Sequence, residues 1–152
     1  MYFLSIVLLM VVLPVASVLI EWAAAPEANL LGLIGNWFVF WGVGWRLLTA
    51  GLKQMINPAF TAGILGIKEK AAHRIVAEHG MSNAAIGAVG VLTFFNPAWI
   101  GAAAVAGLIM FGLAGIQHLR NPDRTGTAKL AMWSDLWIAL VLAIYLAFAW
   151  AT

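Results

Sequence analysis

Arg46, Glu78, His79, Asn83, Gln117, His118 and Asp135 are the side chains of this sequence whose types suit chemistry. Imidazole and carboxylate groups commonly move protons, and both can ligate zinc, iron or manganese. The spacing completes neither kind of site. No two of Glu78, His79, His118 and Asp135 form an H-E-x-x-H or Glu-x-x-His pair on one helix, and no nucleophile stands out beside them. The chain has no cysteine, which excludes disulfides, thiolate catalysis, iron–sulfur ligation and Cys-type zinc sites. No Walker loop, dinucleotide fingerprint or CxxCH haem site is present. These residues therefore read as a ligand-binding or structural polar patch, with no catalytic residue, metal or cofactor assigned.

The elements that hold the patch must be apolar. Of 152 residues, 64% are hydrophobic and 9% charged, against roughly 25% charged in an average soluble domain. A soluble fold this short could not hide so much apolar surface, so lipid is the solvent for most of the chain. The formal charge of +2 gives no argument for nucleic acid. The opening run resembles a secretory signal, yet no Lys or Arg precedes its long apolar core. It reads as a retained membrane helix.

A membrane span needs about 20 apolar residues. Tyr2–Ile20, Leu31–Leu52, Ala98–Leu119 and Ala131–Trp150 qualify, and a fifth span over about 75–95 closes with the Asn96-Pro97 turn. The charges support five spans in a single domain covering residues 1–152. Lys53, Lys68, Lys70 and Arg74 occupy one loop, and Arg120, Arg124 and Lys129 another; these are seven of the eight basic residues. The intervening loops hold Glu21 and Glu27, or no charge. By the positive-inside rule this places the N-terminus in the cytoplasm and the C-terminus outside. Trp22, Trp37, Trp99 and Trp150 near outer ends, and Trp133 and Trp137 near an inner end, fit the same map.

Between the second and third spans, Ile64, Ile67, Ala71 and Ile75 recur at helical spacing opposite Glu69, Lys70, His73 and Arg74. That pattern predicts an amphipathic helix over Phe60–His79, lying on the inner leaflet. Small residues mark the faces where membrane helices approach closely. They are Gly35, Gly42 and Ala50 on the second span, and Gly87 and Gly90 on the third. The fourth carries Ala103, Gly107 and Ala114, and the fifth Ala139, Ala143 and Ala147. Arg46, His118 and Asp135 each fall four residues from a member of these stripes, and Glu78, His79 and Asn83 sit at the entry to the third span. All lie near cytoplasmic ends, so they are expected to converge. An ionisable group inside a span costs roughly 2.5–3.5 kcal/mol, which predicts pairing of Arg46 with Asp135.

The run Trp45–Pro58, WRLLTAGLKQMINP, opens a group of four closely connected spans. It resembles the start of the DoxX-like family of small bacterial membrane proteins, whose first helix carries a similar Arg, Gly, Lys and Pro pattern. EHGMSNAAIG (Glu78–Gly87) and GLAGIQH (Gly112–His118) are also similar to segments of uncharacterised relatives of that kind. The resemblance covers residues 31–150 and leaves Tyr2–Ile20 as an extra helix. It implies an accessory role, some members being accessory subunits of quinone-linked oxidoreductases, and it supplies no catalytic residues.

The sequence thus predicts an all-α polytopic transmembrane bundle of about five spans in the bacterial inner membrane, with one cytoplasmic-side amphipathic helix. The leading expectation is a non-enzymatic accessory or interaction subunit, packed against itself or another membrane protein. The alternatives are a site for a quinone, lipid or other small hydrophobic ligand at the polar patch, or a small transporter.

Overall fold

Apolar runs of the length found here can satisfy every backbone group internally only as helices. The computed structural model describes residues 2–122 and 125–151, and all regular structure among them is helical. The first helix, α1 (residues 2–24), joins α-helical Tyr2–Val7 and Leu13–Ala24 through a π-helical turn, Leu8–Val12. The second, α2 (residues 30–56), joins Leu30–Trp37 and Arg46–Ile56 through π-helical Phe38–Trp45. A short α3 (Pro58–Ile64) follows. Then come α4 (His73–Leu92), α5 (Ile100–Arg120) and α6 (Gly126–Ala149). Among the described residues, Phe3–Ala24, Lys70–Leu92, Pro97–Arg120 and Gly126–Ala149 are long and apolar enough to cross a membrane.

Local chemistry sets the helix ends. The Asn29 side chain caps α2 by accepting from the Leu31 and Gly32 amides at 3.0 and 3.4 Å. Asn57 caps α3 with Pro58 at its first position, and Thr125 caps α6 through the Ala128 amide at 3.1 Å. The second helix is longer than the expected Leu31–Leu52 span, because α2 continues past Lys53 to Ile56. The Lys53 ammonium sits 3.7 Å from the centre of the Phe60 ring, which gives this charge a partner at the helix end.

The expected helix over Phe60–His79 is not one helix. Gly66 takes φ +72°, with Ile67 N–H bonded to the Ala62 carbonyl at 2.9 Å and Gly66 N–H to the Gly63 carbonyl at 3.3 Å. This Schellman arrangement stops α3. The chain runs non-helically to a 3-10 turn, Lys70–Ala72, and α4 begins at His73. Ile75, expected on an apolar face, is 68% exposed.

Contacts between helices give their directions. Glu21 and Ser17 of α1 meet Trp37 and Trp41 of α2, so these two run antiparallel. A Cβ on Gly44 of α2 would stand 2.7 Å from Val91 N of α4, and one on Gly51 would stand 2.5 Å from Gly80 O. Those two helices are therefore antiparallel as well, and in backbone contact. Gly115 faces Leu136 and Gly107 faces Leu142, which makes α5 and α6 antiparallel. Most expected small-residue faces are used inside the bundle, around a core of Met10, Val39, Val43, Ile138 and Leu142. Ala147 is exposed and departs from the expected stripe.

Pro14 explains a further contact. In an α-helix the Met10 carbonyl would accept from the amide of residue 14, and proline has no amide hydrogen. The Trp137 indole N–H of α6 donates to that carbonyl instead, at 3.0 Å. An unsatisfied carbonyl in hydrocarbon costs several kcal/mol, so the bond fixes α1 against α6 at mid-helix.

Candidate functional site

The bundle has a basic end, with Lys53, Lys68, Lys70, Arg74, Arg120 and Lys129 exposed, and an acidic end with Glu21 and Glu27. Arg124 of the second basic loop lies outside the described residues. The expected polar patch belongs to the basic end, and the structure divides it into separate contacts.

Asp135 is 6% exposed on the inward face of α6 and lies within the electrostatic reach of Arg46 on α2. Its neighbour Ser134 donates to the Ala131 carbonyl at 2.9 Å. Asn83 is 4% exposed and bridges α4 to α2 by donating from Nδ2 to Gln54 Oε1 at 2.7 Å. Its own Oδ1 is buried with no hydrogen-bond partner. Glu78 instead pairs with Arg74 on the same helix, at 3.3 Å, with side chains 59% and 88% exposed. His79 and Gln117 are exposed, and His118 is half-buried. Convergence of all seven on one patch is therefore corrected. At 100° per residue, Glu78 stands roughly 160° around α4 from Gly80, which faces α2.

Two clefts open elsewhere, and none of the seven residues lines either. One, of about 250 Å³, is apolar and lies between α4 and α5, bordered by Ala85, Ile86, Val89, Ala102, Ala103 and Ala106. The other, of about 190 Å³, opens at the acidic end, where Glu21 of α1 meets Trp37 and Phe40 of α2, Thr93 and Phe94 after α4, and Pro97 before α5. There the Trp37 indole N–H donates to Glu21 Oε2 at 2.6 Å. The rings of Trp37, Phe40 and Phe94 contact one another, with centroids 5.4–6.4 Å apart. Thr93 anchors the α4 terminus by donating to the Gly90 carbonyl at 2.7 Å.

Over residues 2–152 the sequence matches DUF6790, a family of unknown function. The chain belongs to the DUF6790 family. No curated protein and no solved structure matches it. None of these findings links the DUF6790 chain to DoxX-like proteins.

In this DUF6790 protein, sequence patterning passed over Gln54 and the residues of the acidic-end cleft. Trp37 and Glu21 read from the sequence only as markers of an outer membrane boundary. A signal was nonetheless there: Trp37, Phe40 and Trp41 stand at i, i+3 and i+4 and so share a helix face.

Proposed function

We propose that the protein crosses the bacterial inner membrane five times and acts as a non-enzymatic accessory subunit that packs against another membrane helix, its own or a partner's. In this reading α2 is the fifth crossing, since at 1.5 Å per residue it reaches roughly 40 Å. The N-terminus is then cytoplasmic and the C-terminus outside. The gathering of exposed lysines and arginines at one end of the bundle supports that orientation. Reporter fusions in the Arg120–Leu130 loop and after Thr152 should report opposite sides. The same side for both would overturn the five-crossing map.

The observation that carries the accessory reading is the apolar cleft between α4 and α5. Its alanines allow a neighbouring backbone to approach closely, which is the main source of helix association in lipid. The buried polar groups of the basic end lie between helices and line neither of the two clefts, which supports a structural use for them.

Because the chain has no cysteine, a single Ala102→Cys variant reports on this cleft alone. Cross-linking in native membranes should give one discrete larger species, and Ala85→Phe, at an exposed position on the cleft wall, should abolish it by filling the cleft. A lone, monodisperse protein in mild detergent with no cross-linked species would overturn the proposal. One observation favours a second reading. The buried, unpartnered Asn83 Oδ1 would accept from a hydroxyl-bearing ligand such as a quinol or lipid, and such a ligand co-purifying with the lone protein would favour it.

A further inference from the structure

The geometry points to the acidic-end cleft as a binding site for a small organic ammonium cation, held by the Glu21 carboxylate and the rings of Trp37, Phe40 and Phe94. The inference stands apart from the accessory reading, since it uses the opposite end of the bundle from the polar patch and a different cleft from that between α4 and α5.

Three features argue for this ligand class. The first is charge. Glu21 is the ionisable residue lining the cleft, and no Lys, Arg or His lines it. The adjoining loop adds Glu27 and no basic residue, and the Asn96-Pro97 turn carries no charge. An anion would meet only repulsion there. The second is the wall. Aromatic faces carry negative quadrupole density and attract alkylammonium groups, which shed water more readily than a metal ion does. Trp37 stands at 84° to Phe40, while Phe94 is tilted at 51° to Trp37 and 42° to Phe40, so the three rings present differently oriented surfaces to one space. The third is preorganisation. The 2.6 Å bond from the Trp37 indole fixes one carboxylate oxygen and the ring together and leaves the second oxygen for the ligand.

Size narrows the choice. A volume of about 190 Å³ falls below the roughly 300–1,000 Å³ of drug-sized sites and suits a group as small as a headgroup cation. That cation could be a free solute such as choline or the ammonium headgroup of a phospholipid, because both present the same chemistry. An ordinary interfacial belt of aromatic residues would bind no solute saturably and would not depend on the Glu21 carboxylate, and this difference supplies the test.

The test titrates purified full-length protein in a non-ionic detergent with choline, and with 3,3-dimethylbutanol as its uncharged isostere, by isothermal calorimetry. Choline should bind saturably and the isostere at least about tenfold more weakly. Glu21→Gln keeps an acceptor for the Trp37 indole and should weaken choline about tenfold. Phe94→Leu, at an exposed position, should weaken it several-fold without affecting the fold and serves if Glu21→Gln is unstable. Repeating the titration in nanodiscs separates the sources. Weaker apparent choline binding in phosphatidylcholine than in phosphatidylglycerol discs identifies a lipid headgroup as occupant, and equal binding identifies a free solute. No choline binding in any of the three settings, equal binding of the isostere, or unchanged affinity in both variants overturns the proposal.

Discussion

Gly87→Val should abolish the folded bundle. A Cβ at position 87 meets the backbone of Leu48 and stands 2.8 Å from the Gly44 carbonyl oxygen. Backbone atoms cannot rotate away as a side-chain tip can, so α2 and α4 would have to separate along their length. Overpacking a well-filled core typically costs 1–3 kcal/mol where side chains can adjust. Here the whole interface must move, and the Asn83–Gln54 bond across it would be lost with it. The expected result on gel filtration in mild detergent is aggregation or loss of the monodisperse peak. Gly101→Ala is the control, because a Cβ there meets nothing within 4 Å. In the first turn of α5 it should be neutral or slightly stabilising, by less than the roughly 1 kcal/mol of an interior position. If Gly87→Val melts at the same temperature as Gly101→Ala, the close approach of α2 and α4 is wrong.

Arg46→Met should destabilise the protein more than Arg46→Met combined with Asp135→Leu. Asp135 is nearly inaccessible on a helix apolar enough to cross a membrane, and Arg46 is the positive charge that acts on it. Removing the arginine leaves a buried carboxyl with its counter-charge gone, which in soluble proteins costs about 3–5 kcal/mol for a contact pair. Replacing both residues removes the charge as well as its partner. Thermal unfolding in detergent of both single variants and the double variant checks this. Simple additivity of the single effects would show that the two do not interact.

The apolar helices were legible because run length and basic-loop alternation report directly on what lipid tolerates. The expected 131–150 span falls on α6 and runs one residue past its end, and 98–119 lies within α5 and the turn before it. The break in the Phe60–His79 segment was harder to see. Ile64, Ile67 and Ile75 keep helical spacing across Gly66, and only the hydrogen bonds back to Ala62 and Gly63 reveal that this glycine turns left-handed. The polar patch was half legible. Stripe position puts Arg46 and Asp135 within reach of each other, but the expected interfacial helix over Phe60–His79 gives Glu78 and His79 no fixed angle on α4, which begins at His73. Once α4 is regular from His73, the glycines facing α2 rotate both away from the interior. The Asn83–Gln54 bond crosses 29 positions and has no signature at either end.

The Met10 carbonyl gives the order of synthesis a structural meaning. α1 emerges from the ribosome long before α6, yet one of its backbone acceptors has its donor on Trp137. Until α6 is made, the acceptor that Pro14 leaves without its usual helical donor has no Trp137 indole to bond. The packing of α1 is therefore complete only once α6 is in place, because a backbone acceptor of the earlier helix waits for a side-chain donor made after every helix between them.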